Sequence, residues 1–159
     1  MAKMVFSGNL DVDDFDKAIL RLVQKSNQLS HRTIGEAVGL STSAVRRRLA
    51  RMRSTGIISK DVALLDRSMM GETLFVTVYF LQEMPEIYRA FEQQMATLEE
   101  VSQCYHIAGE GDYLLVVNMP TLRHYEEWGV EHLMSNPDIR RYDTIVAYSC
   151  KKFDTAVSL

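Results

Sequence analysis

The sequence predicts an α+β protein: an N-terminal helix-turn-helix domain of winged-helix-like kind, followed by a ferredoxin-like βαββαβ domain. Three observations predict it. Between residues 13 and 56, apolar residues recur at helical spacing in three short segments divided by turn residues. From residue 74 the pattern changes to strand-like and helix-like segments in alternation. The charge divides near the same place. Residues 1–60 carry 11 Lys and Arg against 5 Asp and Glu, and residues 61–159 carry 7 against 16, so a basic module precedes an acidic one although the whole chain is only −3.

The first periodic segment, LDVDDFDKAILRLVQKSNQ, places Phe15, Ile19, Leu22 and Val23 on one helical face. Asp11, Asp13, Asp14 and Asp16 crowd its start, where the helix dipole favours negative charge, so the helix is expected to begin near Asp13. Ser26, Asn27 and Gln28 interrupt the pattern. Ser30 then caps a short second helix carrying Ile34, Ala37 and Val38, which Gly39 ends. A third helix runs from the N-cap Ser41 to a stop at Gly56, with Val45, Leu49 and Met52 as its inward stripe. At about 100° per residue, Ser43, Arg47 and Arg51 point away from that stripe and Arg46 lies on its flank. Arg48 falls near the core edge, placed to pair with an acid of the first helix. Ile57, Ile58 and the segment DVALL are expected to form a short strand or wing. The domain is placed at residues 1–60, with a connector at 61–73.

In the second part, LFVTVYFL reads as a strand and PEIYRAFEQQMATL as a helix with Ile87, Phe91, Met95 and Leu98 on one face. VSQCYHIAG is a second strand, and GEG at 109–111 is a tight turn into a third, DYLLVVNM. A helix over LRHYEEWGVEHLMS and a last strand over IRRYDTIVAYSCKK complete the domain, placed at 74–159. This order gives a four-stranded antiparallel sheet with both helices on one face. The other face needs a cover. Val76, Val78, Leu115, Val117 and Val146 supply apolar positions for it, and self-association is the simplest cover.

Several function classes are disfavoured. The opening MAKMVFSGNL has one Lys and a polar break before any long apolar run, unlike a secretory signal. The longest apolar runs are strand-length, too short to cross a membrane, so the expected location is the cytoplasm. Cys104 and Cys150 form no C-x-x-C pair and are expected as free thiols. His31, His106, His124 and His132 show no zinc-binding spacing, so no metal and no cofactor is expected. No nucleophile, base and orienting group stand in a recognisable pattern, and no catalytic residue is assigned.

Five arginines within one short helix, preceded by two helices and a turn, read as a DNA-contacting face. Arg46, Arg47 and Arg51 would meet phosphates and guanine edges, with Thr42 and Ser43 near backbone or bases. The alternative is a solvated charge face. AGEGDY also has two readings. It is a hairpin turn whose glycines permit positive φ and whose Asp112 bonds the turn backbone, or a set of exposed N–H groups for a ligand carboxylate. His106 is a buried, hydrogen-bonded histidine, a ligand contact or a catalytic acid. Tyr105, Tyr113, Trp128 and Tyr142 read as packing or interface residues rather than an aromatic cage.

Four pieces carry a family resemblance: LDVDDFDKAIL, VGLSTSAVRRRLARM with the following TGII, AGEGDYLLVV, and the final strand around TIVAYSCKK. In their order and spacing, and over nearly the whole length, the chain resembles the leucine-responsive and asparagine-responsive regulators, the Lrp/AsnC family. The resemblance implies a transcription regulator that binds specific sites on double-stranded DNA. It also implies a ferredoxin-like domain that dimerises through its sheets and assembles dimers into rings, often octamers. An amino acid or related small metabolite is then the effector, bound between dimers around the turn of the second and third strands. Carried over, the effector site is His106, Ile107, Ala108, Gly109, Glu110, Gly111, Asp112 and Tyr113, with Thr144, Val146 and Ala147. Ala108 stands where many relatives have Thr, and Gly111 where an aromatic is frequent. Two rivals share these features. The architecture also resembles siroheme decarboxylases, whose helix-turn-helix is vestigial, a reading the arginine-rich helix opposes. The other is a nucleoid-organising protein with little sequence preference.

Overall fold

Capping chemistry sets where the first three helices start. In α1 (Asp14–Val23), the Asp13 carboxylate accepts the Asp16 N–H at 2.8 Å and the Asp16 carboxylate accepts the Asp13 N–H at 3.1 Å, a reciprocal capping box. Ser30 accepts the Thr33 N–H at 3.0 Å to start α2 (His31–Val38), which stops at Gly39. Ser41 accepts the Ala44 N–H at 3.2 Å to start α3 (Thr42–Ser54). Ile19, Leu20, Ile34, Val45, Leu49 and Met52 interlock as the core of these helices. Close approach is part of the design, since a Cβ on Gly35 would lie 2.4 Å from the Leu40 carbonyl oxygen.

The computed structural model describes residues 12–159, so MAKMVFSGNL and Asp11 lie outside the described residues. The chain forms two units. One comprises the described residues up to Leu64 together with Phe153–Leu159, and the other comprises Leu65–Lys152. Residues 153–159, expected in the domain at 74–159, make their contacts in the first unit.

Three expectations for the first unit are corrected. Phe15 is 46% exposed rather than part of the buried stripe, and the Arg48 guanidinium stands 5.6 Å from its ring centroid. Ala37 is also exposed. No wing forms, since residues 57–66 contain no strand. The end of α3 explains this. Its terminal carbonyls recruit the next amides, Gly56 N–H to Arg53 O at 3.1 Å and Ile58 N–H to Met52 O at 3.0 Å, which folds Ile57 and Ile58 back onto the helical core.

The second unit holds β1 (Glu72–Phe80), α4 (Pro85–Met95), β2 (Val101–His106), β3 (Tyr113–Met119), α5 (Leu122–Gly129) and β4 (Ile139–Val146). The sheet order is β2-β3-β1-β4 with every neighbour antiparallel, the ferredoxin-like arrangement. A π-helical turn, Val130–Met134, extends α5. The connector expected through residue 73 ends at Gly71. The last strand stops at Val146 rather than running to Lys152, because its final pair is Leu74↔Val146 and only the Ala147 N–H reaches on to Thr73 O, at 3.0 Å.

The assignment of sheet faces also needs correction. Val76, Val78, Leu115 and Val117 are fully buried and, with partly buried Val146, pack in the core with Phe91 and Met95 of α4 and Trp128 of α5. The opposite face instead carries Phe75, Thr77, Tyr79, Val116 and Ile145, with Phe75 paired to Val116 on one side and Ile145 on the other. Phe75 is 38% and Ile145 64% exposed, while Tyr79 is covered by the Arg141 guanidinium 4.0 Å from its ring centroid. The period of two tells which residues share a face, not which face the helices cover.

Candidate DNA interface and effector cleft

The exposed side of α3 is built by what its inward side fixes. Val45, Leu49 and Met52 are buried as expected, which turns the arginines outward in a graded way. Arg48 reaches back to α1, donating to Asp13 at 2.7 Å and Asp16 at 2.9 Å, as its angle on the helix implied. Arg51 also pairs with Asp16. Arg53 makes two bonds to Asp61, at 2.8 and 3.2 Å. Among the described residues no acid pairs with Arg46 or Arg47, and both are exposed. Thr42 and Ser43 are exposed beside them at the helix start, the Ser43 hydroxyl 3.1 Å from that of Ser41. Of the five predicted DNA contacts, four share this open face, and Arg51 leans toward α1.

Asp16 is the functional residue that sequence reasoning missed. It is 1% exposed, caps α1, and holds two arginines of α3, so it ties the axis of the basic helix to the first helix. A signal was present in the spacing, because Asp16 precedes Ile19 and Leu20 by three and four residues and so shares their inward face. The Asp16 backbone N–H and then the Arg48 guanidinium hold the Asp13 carboxyl below its ordinary range. Arg48 is raised in turn, first by its bond to Asp13 and then by its bond to Asp16.

In the second unit, the turn joining β2 to β3 is anchored by Asp112. Its N–H donates to Val78 O at 2.9 Å, and its carboxylate accepts the Phe80 N–H at 2.8 Å and the Tyr88 hydroxyl at 2.6 Å. The turn-anchoring reading of Asp112 describes this geometry. Tyr113 is 1% exposed and donates to Glu92 at 2.8 Å. Burial, reinforced by Asp112 for Tyr88 and by Glu92 for Tyr113, raises both phenols well above their usual range and keeps them as donors. His106 is exposed rather than buried, stacked on the Tyr113 ring at 4.9 Å and meeting the Tyr88 ring edge at 5.1 Å.

The loop itself is left open. Ile107 donates to Asp112 O at 2.9 Å, but among the described residues nothing accepts from the backbone N–H groups of Ala108, Gly109, Glu110 and Gly111. Such a run of unspent donors can receive an anionic group. Thr144, Val146 and Ala147 are not brought to this loop. Thr144 and Val146 lie on β4 and Ala147 directly follows it, across β1 from the turn, with Ala147 beside Thr73 and Asp112 beside Val78. One chain presents the two halves of the predicted effector site separately. Thr144 instead hydrogen-bonds the Tyr125 hydroxyl.

Both units match family models. Residues 12–53 match the AsnC-type helix-turn-helix domain and residues 73–157 the Lrp/AsnC ligand binding domain. An HTH-type transcriptional regulator of Sinorhizobium fredii is 32% identical over 152 residues, covering 94% of this chain and 90% of that protein. The crystal structure of an AsnC family transcriptional regulator from Agrobacterium tumefaciens superposes with a TM-score of 0.84 at 29% identity, covering 92% of this chain and 97% of its own. A transcriptional regulator of Neisseria meningitidis, solved as a complex with L-Met, has the same fold, with a TM-score of 0.84 at 24% identity and coverage of 92% and 96%. With its helix-turn-helix and its ligand-binding sheet both matched, this chain belongs to the Lrp/AsnC family of transcription regulators.

Proposed function

We propose that the protein is a sequence-specific, DNA-binding transcription regulator whose response is set by an amino acid or related small metabolite bound at the β2–β3 turn. The DNA reading rests on one observation above all, the exposed pair Arg46 and Arg47 on a helix whose other arginines are committed to acids. Arg46 and Arg47 meet phosphates and base edges, Thr42 and Ser43 sit at the groove-facing helix start, and Arg51 contributes from the α1 side. The unit that holds the three helices is the reading domain, the residues between it and β1 are the connector, and the sheet unit is the effector and assembly domain.

The effector reading rests on the unspent N–H groups of Ala108, Gly109, Glu110 and Gly111, which suit a ligand carboxylate. Exposed Glu110 suits the ammonium group of the same ligand, and His106 and Ile107 border it. The L-Met complex of the Neisseria meningitidis relative supports this chemistry. Asp112 and Tyr113 hold the turn rather than touch the ligand. Thr144, Val146 and Ala147 complete the site only from a second copy, which makes the effector a reporter of assembly. Dimers form through the outer sheet face at Phe75, Val116 and Ile145 and assemble further, to an octamer or a larger ring. An effector then acts by binding one arrangement of the reading heads more tightly than another. The protein works in the cytoplasm and catalyses no step in this reading.

A thermal-shift screen of the full chain against the twenty amino acids tests the effector half. A ligand present at about 100 times its Kd adds about 2.7 kcal/mol to the folded state, so one or a few amino acids are expected to raise the melting temperature clearly. A flat screen at millimolar concentrations would remove the amino-acid effector from the account.

A further inference from the structure

The C-terminal segment lies along α1 in an ordered way that the function above does not use. The Gln24 side chain grips the Val157 main chain at both ends, its Oε1 accepting the Val157 N–H at 2.7 Å and its Nε2 donating to Val157 O at 3.2 Å. One turn earlier on the same face, the Arg21 guanidinium donates to the Leu159 carbonyl. The Leu159 side chain is partly buried against the helix-turn-helix core that also receives Leu22 and Val23. Asp154 accepts the Ala156 N–H at 2.9 Å, a local turn that shapes the segment before it meets the helix. Contacts of this kind are what place Phe153–Leu159 in the first unit although β4 has ended in the second.

We propose that the C-terminal end of α1 is a docking site for an extended peptide and that residues 153–159 of this chain are its occupant, a strap that can fasten and release. Gln24 and Arg21 read main-chain groups, as a neighbouring strand would, and the aliphatic side chain at position 159 is received by the helix-turn-helix core. Few residues are fixed and most of the segment is exposed, which sets its opening at the low end of the stability scale. When the strap is docked, the DNA-binding unit is joined to the chain at both its ends. When it is released, the connection at Leu64–Leu65 alone remains. The strap therefore restricts the freedom of the reading head, and a restricted head loses less entropy when it binds DNA. This consequence rests on the DNA-binding reading above, whereas the docking does not.

Amide hydrogen exchange on the full chain, wild type and Gln24→Ala, tests both parts. The wild-type Val157 amide is expected to exchange at least about tenfold more slowly than an unstructured amide, and Gln24→Ala to abolish that protection while α3 stays protected. In the same variant, DNA affinity is expected to fall about tenfold with an unchanged salt dependence, because every phosphate-binding side chain is still in place. Arg21→Ala should act in the same direction. An unprotected Val157 in the wild type, or protection that survives Gln24→Ala, overturns the docking. Protection lost in Gln24→Ala with DNA affinity unchanged overturns the strap's role in binding. Exchange is read without DNA, so failure of the regulator reading leaves the docking result standing.

Discussion

Asp16→Ala is expected to destabilise the DNA-binding unit by about 3 kcal/mol, the low end of what removing one member of a buried ion pair costs. Asp16 is 1% exposed and serves Arg48 and Arg51, so its loss strands two guanidinium groups at the α1–α3 junction and deletes half of the capping box. The side chains of Arg48 and Arg51 are 22% and 38% exposed and recover part of their hydration, which is why the low end applies. A loss of this size lowers the melting temperature of a small unit by roughly 10–20 °C. The two units report separately. The single Trp, Trp128, lies in the sheet unit, so its fluorescence transition should stay in place while the helical circular-dichroism transition moves. Asp16→Asn, which keeps the acceptor oxygen and the size, should lose less. An unmoved helical transition in Asp16→Ala would show that the two ion pairs contribute nothing to holding α3.

Gly111→Ala is expected to disable the effector turn. Gly111 has φ +93°, where an L side chain is strained, and a Cβ there would lie 2.4 Å from Thr77 Cγ2 and 3.4 Å from Tyr79 Cε1. Thr77 is a short side chain in the middle of β1 and cannot swing aside as a long one would. Backbone strain of about 1–2 kcal/mol and overpacking of about 1–3 kcal/mol act together. The adjacent Asp112 must then shift from Phe80 N–H and Tyr88, so the turn moves as a piece. Expected are a lower transition for the Trp128 signal, an unchanged helical transition for the first unit, and loss of any amino-acid-induced thermal shift. A variant that keeps the wild-type Trp128 transition would show that the turn tolerates a side chain here.

Local chemistry was the most legible part of the sequence. Ser30 and Ser41 are readable as caps because a hydroxyl before a periodic segment has one obvious use, and Gly39 and Gly56 as stops because an αL residue ends a helix. The stripe of Val45, Leu49 and Met52 and the turning of Arg48 toward α1 follow from helical angle alone. Features decided at long range were not legible. The burial of Asp16 depends on Arg48 and Arg51, more than thirty residues away. The inward orientation of Val76, Val78, Leu115 and Val117 depends on which side α4 and α5 occupy, and an alternating strand is silent on that choice. The attachment of residues 153–159 to α1 depends on Gln24, whose side chain carries no such message by itself. For the candidate sites, the basic helix stands out by composition, whereas the effector set comes from family resemblance. The structure divides that set between the β2–β3 turn and β4, on the two sides of β1.

Competition binding at fixed salt, between the protein's own promoter region and random DNA, tests the central claim most directly. A sequence-specific regulator is expected to prefer its site by about 10³-fold or more. Its affinity should also weaken with salt, and Arg46→Ala with Arg47→Ala should flatten that dependence by about 0.9 in log-log slope for each phosphate that the pair neutralises. Equal binding to random DNA, or no salt-sensitive binding at all, would contradict the account.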